Sequence, residues 1–150
     1  MRVRTWIMVA VLLTGAAAVA ADMRTTTAQT VVTGGFASYK ADGLEAAMRA
    51  WTEGGPLERN REAVARQNRY LREIEALYGP FKTFHVVQTV VISETCQVTY
   101  AQLDYATGPL FMKCMVFKGK DDWRIVNLRF HTEIEAIWPS ALFAYGTDER

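Results

Sequence analysis

Cysteine and histidine are scarce in this chain of 150 residues, with two of each. Cys96 and Cys114 lack the Cys-x-x-Cys spacing of redox and zinc sites. The two histidines, His85 and His131, have no spaced acidic partner, so no metal ligand set and no cofactor is expected. Asp121-Asp122 reads as a turn and not as a calcium loop. There is no glycine-rich phosphate cradle and no Gly-x-Ser-x-Gly elbow, which removes the commonest nucleotide and hydrolase signatures. An excess of one charge is missing too, because 17 Lys and Arg face 16 Asp and Glu. That balance argues against a nucleic-acid partner. Internal repeats and low-complexity tracts are also absent.

What is present begins with a leader. Arg2 and Arg4 precede an uncharged run from Trp6 to Ala21 that ends in small residues before Asp22. This is the layout of a secretory signal peptide over residues 1–21, with cleavage after Ala20 or Ala21. The run is short for a membrane span. The expected location is therefore periplasmic or secreted, with no stable membrane anchoring after cleavage. Residues 22–41, rich in Thr, Ala and Gly, read as a flexible leader. The main domain is expected over 42–142 and a frayed tail over 143–150.

In an oxidising compartment two cysteines invite a disulfide. A bridge needs Cβ atoms about 4 Å apart. The turn residues Thr107-Gly108-Pro109 centre the hairpin near 107 or 108, which leaves Cys96 and Cys114 several residues out of line. Two unbridged thiols on neighbouring strands are the favoured reading.

Helical spacing dominates the first half. Asp42-Gly43-Leu44-Glu45 fits a capping box, and Leu44, Ala47, Met48 and Trp51 fall on one face. Pro56 suits a first helical turn. Residues 57–78 contain neither Gly nor Pro and predict one long helix, stopped by Gly79-Pro80. Its arginines read as a solvated face with ion pairs such as Glu58–Arg61 and Glu62–Arg66. Beyond Pro80 the rhythm changes to strands at 82–93, 96–105, 110–118 and 123–131, joined by short polar turns, which predicts an antiparallel meander. A last helical turn is expected within 134–142.

Two N-terminal helices packed on a curved four-stranded antiparallel meander give an α+β domain, with the helices covering one sheet face. The long helix ends in Ile74-Glu75-Ala76-Leu77-Tyr78-Gly79, and Gly108-Pro109-Leu110-Phe111-Met112 follows the second strand. A lysine-rich turn and Trp123 then lead to Asn127-Leu128-Arg129-Phe130-His131. In this order of elements and these phrases the chain resembles the NTF2-like (cystatin-like) cone superfamily of secreted bacterial type. The resemblance covers about residues 42–138. It implies a cone with an internal cavity, but the superfamily spans isomerases, dehydratases, adaptors and non-catalytic proteins, so fold alone does not choose a function.

Strand alternation nominates Tyr100, Asp104, Asn127, Arg129 and His131 as ligand-pocket residues around one cavity. Asp or His would serve as base and Tyr as donor to developing charge. The competing reading makes Arg129 and Asp104 a surface ion pair and His131 a strand-end cap. His85 is a weaker candidate, placed on one face with Val87, Thr89 and Val91. Phe111, Met112, Met115, Phe117 and Trp138 offer apolar surface for a homodimer or another protein partner through the sheet face. The expected function is non-catalytic: binding of a small apolar ligand in a cavity of roughly 300 Å³ or more, or of a protein partner. An acid–base isomerase or dehydratase is the alternative.

Overall fold

The computed structural model describes residues 27–120 and 122–139. Among them the chain forms four α-helices: α1 (Ala28–Asp42), α2 (Leu44–Thr52), α3 (Pro56–Arg59) and α4 (Arg61–Tyr78). A four-stranded antiparallel sheet follows, in the order β1 (Phe81–Ser93), β2 (Cys96–Tyr105), β3 (Pro109–Lys118) and β4 (Trp123–His131). Each strand lies within one residue of its expected bounds. The expected signal peptide and tail lie outside the described residues. Of the last expected helix, a single 3₁₀ turn at Ile134–Ala136 is described. No described helix is long and apolar enough to cross a membrane.

The flexible leader is corrected over most of its length, because residues 28–41 are helical. Thr27 caps α1: its Oγ1 accepts the Thr30 N–H at 3.1 Å, and Thr30 Oγ1 accepts the Thr27 N–H at 2.8 Å. Ala28, Val32, Gly35, Phe36 and Tyr39 then form a buried stripe at helical spacing. Gly35 permits a close helix crossing, because a Cβ there would lie 1.9 Å from Trp51 Nε1. That indole N–H donates to the Val32 carbonyl at 2.9 Å.

Two further helix expectations change. The cap of α2 is Gly43, at φ 86°, and it makes no side-chain cap bond, so the Asp42–Glu45 capping box does not form. The long helix over 57–78 is broken at Asn60, whose Oδ1 accepts the Ala63 N–H at 3.0 Å and starts α4 afresh. Glu58 consequently turns back to accept the Gly54 N–H at 3.0 Å and makes no pair with Arg61. Arg66 and Glu62 do pair, at 2.5 Å.

The helices bury one face of the sheet. Phe36 stacks on Phe84 with ring centres 4.1 Å apart, and Tyr39 stacks on Phe81 at 4.3 Å. Trp51, Met48, Leu71, Leu103, Leu110 and Met112 are fully enclosed beside them. A polar chain crosses this core: the Tyr105 hydroxyl meets that of Tyr39 at 3.1 Å, and Tyr39 donates to Glu75 Oε1 at 2.8 Å. Burial, aided by these bonds, raises the Tyr39 phenol far above its ordinary range. Burial pushes Tyr105 up to about 12. The corner after α4 is fixed by Gly79, at φ 81°, and by Thr107, which donates its N–H to the Tyr78 carbonyl at 2.9 Å.

Candidate functional site

Register decides which side chains share a face. Cys96 lies opposite Phe117 and Cys114 opposite Thr99. The cysteines are therefore offset along the hairpin, and both are free thiols. On β2 the residues Val98, Tyr100, Gln102 and Asp104 alternate away from the helix-covered Ala101, Leu103 and Tyr105. Through the β2–β3–β4 register, Tyr100 stands beside Lys113 and Arg129, Gln102 beside Phe111 and His131, and Val98 beside Met115 and Asn127.

All five nominated residues thus share the sheet face turned away from the helices. The expected cavity inside the helix–sheet layer is a different place. Sequence alternation put Ile125 on the face of Asn127 and Arg129, whereas the register shift beside Met115 and Val116 sends Ile125 into the helix-covered core. Within the helix layer, a cavity of about 50 Å³ lies between Met48, Leu57, Val64 and Leu128. That is below the size range of a small-molecule site.

The five do not converge. Asp104 sits at the β2–β3 turn and faces His85, with Nε2 to Oδ2 at 3.0 Å, while Gln102 Nε2 donates to Asp104 Oδ1 at 2.7 Å. Tyr100 is buried under Trp138, ring centres 5.9 Å apart, and Lys113 Nζ lies 5.7 Å from its ring centre. Burial raises the Tyr100 phenol. Arg129 and Asn127 are exposed on β4. His131 Nδ1 accepts the Glu133 N–H at 2.9 Å, which makes it a strand-end cap. The expected Arg129–Asp104 pair gives way to His85–Asp104.

His85 is the residue that sequence reading undervalued. Bulges in β1 fall at Lys82, Val87 and Ile92, the residues skipped by the β2 ladder. The bulge at Val87 places Thr89 opposite Thr99 on the helix side and leaves His85 with Gln88 and Val90 on the open face. The pairing of Phe84, half-buried against the core, with the buried Leu103 was the signal that fixes this register. Chemically, His85 with Asp104 has the form of an oriented base, but its side chain is 60% exposed. Among the described residues, no three His, Cys, Asp or Glu gather as metal ligands.

The open face has an apolar centre of Val98, Tyr100, Phe111 and Ile137, with Val90, Met115, Ile134 and Trp138 packed around it. Its edge is β1, where the bulged Val87 and Ile92 are 52% and 62% exposed, and Val91, on the Thr89 side of the strand, is 65% exposed. No protein-family model, no curated protein and no solved structure matches this chain.

Proposed function

We propose that this is an exported, NTF2-like, non-catalytic binding protein whose partner is another protein, docked along β1 and the adjoining open sheet face. The single observation that carries the reading is the edge strand. Residues 86–93 hold no charge, no Gly and no Pro, yet they form an outer strand with three large aliphatic side chains in solvent. An uncharged aliphatic edge of this kind favours association with another chain. The bulges at Val87 and Ile92 disturb regular strand addition, so the side chains and not a continuous backbone ladder would carry the contact. The filled helix layer favours a protein occupant over a small apolar ligand within the cone. Export rests on the leader residues, and the family on the order of elements.

A photoreactive phenylalanine analogue placed at Val91 tests the reading in cells of the native host. The expected result is a discrete protein adduct at position 91 that is absent when the analogue replaces Arg61 and that disappears on Ile92→Lys. Equal adducts at both positions, or none at 91, would overturn it.

The His85–Asp104 pair favours a second reading, acid–base catalysis on the open face. It expects turnover of an enolisable ketone that is lost on Asp104→Asn with the fold intact. Turnover equal in the wild type and the variant would reject it.

A further inference from the structure

A separate groove of about 430 Å³ lies where the α2–α3 corner meets the β3–β4 hairpin. This is within the usual size range of small-molecule sites. Phe117 and Val126 supply its apolar surface, and Arg59 from α3 and Arg124 from β4 supply its cations. Phe117 and Arg124 are direct cross-strand neighbours, so an aromatic ring and a guanidinium stand side by side. Phe117 is 45% exposed, leaving apolar area for an occupant to cover.

The wall at Gly54 and Gly55 is set by backbone. A Cβ on Gly55 would lie 2.7 Å from the Ile125 carbonyl oxygen, and Gly54 has φ +67°. The acid lining the groove, Glu58, is engaged by the Gly54 N–H at 3.0 Å. Arg124 meets Asp122 only at 4.0 Å, and both side chains are about half exposed. A neighbouring groove of about 400 Å³ shares Gly54 and Arg124 but is lined by Glu53 and Asp122. An anion is therefore favoured on the Arg59 side and disfavoured beyond Gly54.

From these residues we infer that the groove binds a small organic anion: a carboxylate on a flat apolar body. The carboxylate faces Arg59 and Arg124, and the ring covers Phe117. Charge-assisted hydrogen bonds from guanidinium to carboxylate supply direction, and the apolar contact supplies area. This inference stands on its own residues and is independent of the partner reading.

Calorimetric titration of the purified protein with 2-naphthoate, its neutral amide and acetate tests it, alongside amide spectra of the labelled protein. Saturable binding of 2-naphthoate is expected, with the amide weaker by about tenfold or more because it loses the charge-assisted contact, and acetate weaker on the same scale because it has no ring to cover Phe117. Arg124→Gln, Arg59→Gln and Phe117→Ala should each weaken 2-naphthoate, and added salt should weaken it too. The amides of Gly54, Gly55 and Gly119 should shift while those of Gly43 and Gly79 stay. Val91→Lys, outside the groove, should leave the titration unchanged, which separates failure here from failure of the partner reading. Absence of saturable 2-naphthoate binding, equal binding of the amide, or affinity indifferent to both arginine substitutions would overturn the inference.

Discussion

Gly35 lies under the indole of Trp51 so closely that a Cβ on it would sit 1.9 Å from Nε1. The contact joins α1 to α2 and frees the indole N–H to reach the Val32 carbonyl. Neither partner can yield cheaply, because Trp51 is itself enclosed and set edge-on to Phe36, ring centres 5.1 Å apart.

Gly35→Ala should therefore destabilise the fold by about 2–3 kcal/mol, the upper range for overpacking a tight core. Gly34→Ala, one residue earlier, meets nothing within 4 Å. It should stabilise α1 by about 0.5–1 kcal/mol through the helix preference of Ala over Gly. Urea midpoints of the two variants check this, and shifts of the same sign would contradict it.

The Tyr105–Tyr39–Glu75 chain predicts alkaline sensitivity. Burial raises both phenols above their ordinary value of 10.0, Tyr105 to about 12. A folded-state value above the unfolded one favours the protonated form in the fold. Stability from this chain is fully present below pH 10.0 and is lost as pH rises toward and through about 12. Phenolate absorbance followed with unfolding should show these two tyrosines ionising only as the fold opens. At neutral pH, Tyr39→Phe should cost about 1 kcal/mol or more, since it removes a buried bond and leaves Tyr105 without its acceptor.

Cys96 and Cys114 should remain unbridged even in an oxidising buffer, given their offset across the hairpin. Cys114 is fully buried, and burial raises its thiol pKa. Native-state alkylation read by peptide mass should label the half-buried Cys96 first and Cys114 only after unfolding. A disulfide-linked peptide, or equal labelling rates in the native state, would contradict the register.

The strands were legible because alternating β-branched and aromatic residues end at turn signals such as Thr107-Gly108-Pro109. Their faces were only partly legible. On β2, which has no bulge against β3, the alternation of Tyr100, Gln102 and Asp104 held. On β1 and β4 each inserted residue reverses the parity beyond it, and nothing in Val87 or Val126 marks it as extra. The helix α1 was hidden because its buried stripe uses Ala28, Val32 and Gly35 among threonines, so local composition resembles a linker. Only Trp51, far along the chain, explains the glycine. Asn60 was a readable cap signal, overridden by the absence of Gly and Pro from residues 57–78. The candidate site inherited these errors. The five polar residues nominated around one pocket lie on the face turned away from the helices, and Asp104 takes His85 in place of Arg129.

Charge placed in the edge strand should separate folding from association. Val91→Lys lies at a position already 65% exposed. Substitutions at such surface positions usually change stability by no more than about 0.5 kcal/mol. Thermal unfolding of the purified variant should match the wild type closely, and a large drop would place Val91 in a packed environment instead.

Native mass spectrometry of the protein isolated gently from its own host, wild type beside Val91→Lys, tests the central claim most directly. The account predicts that the wild type carries a second, different polypeptide at fixed stoichiometry. It predicts that Val91→Lys, folded to the same stability, is recovered as the single chain. A wild type recovered only as the single chain, or a complex that survives Val91→Lys unchanged, would contradict docking along β1.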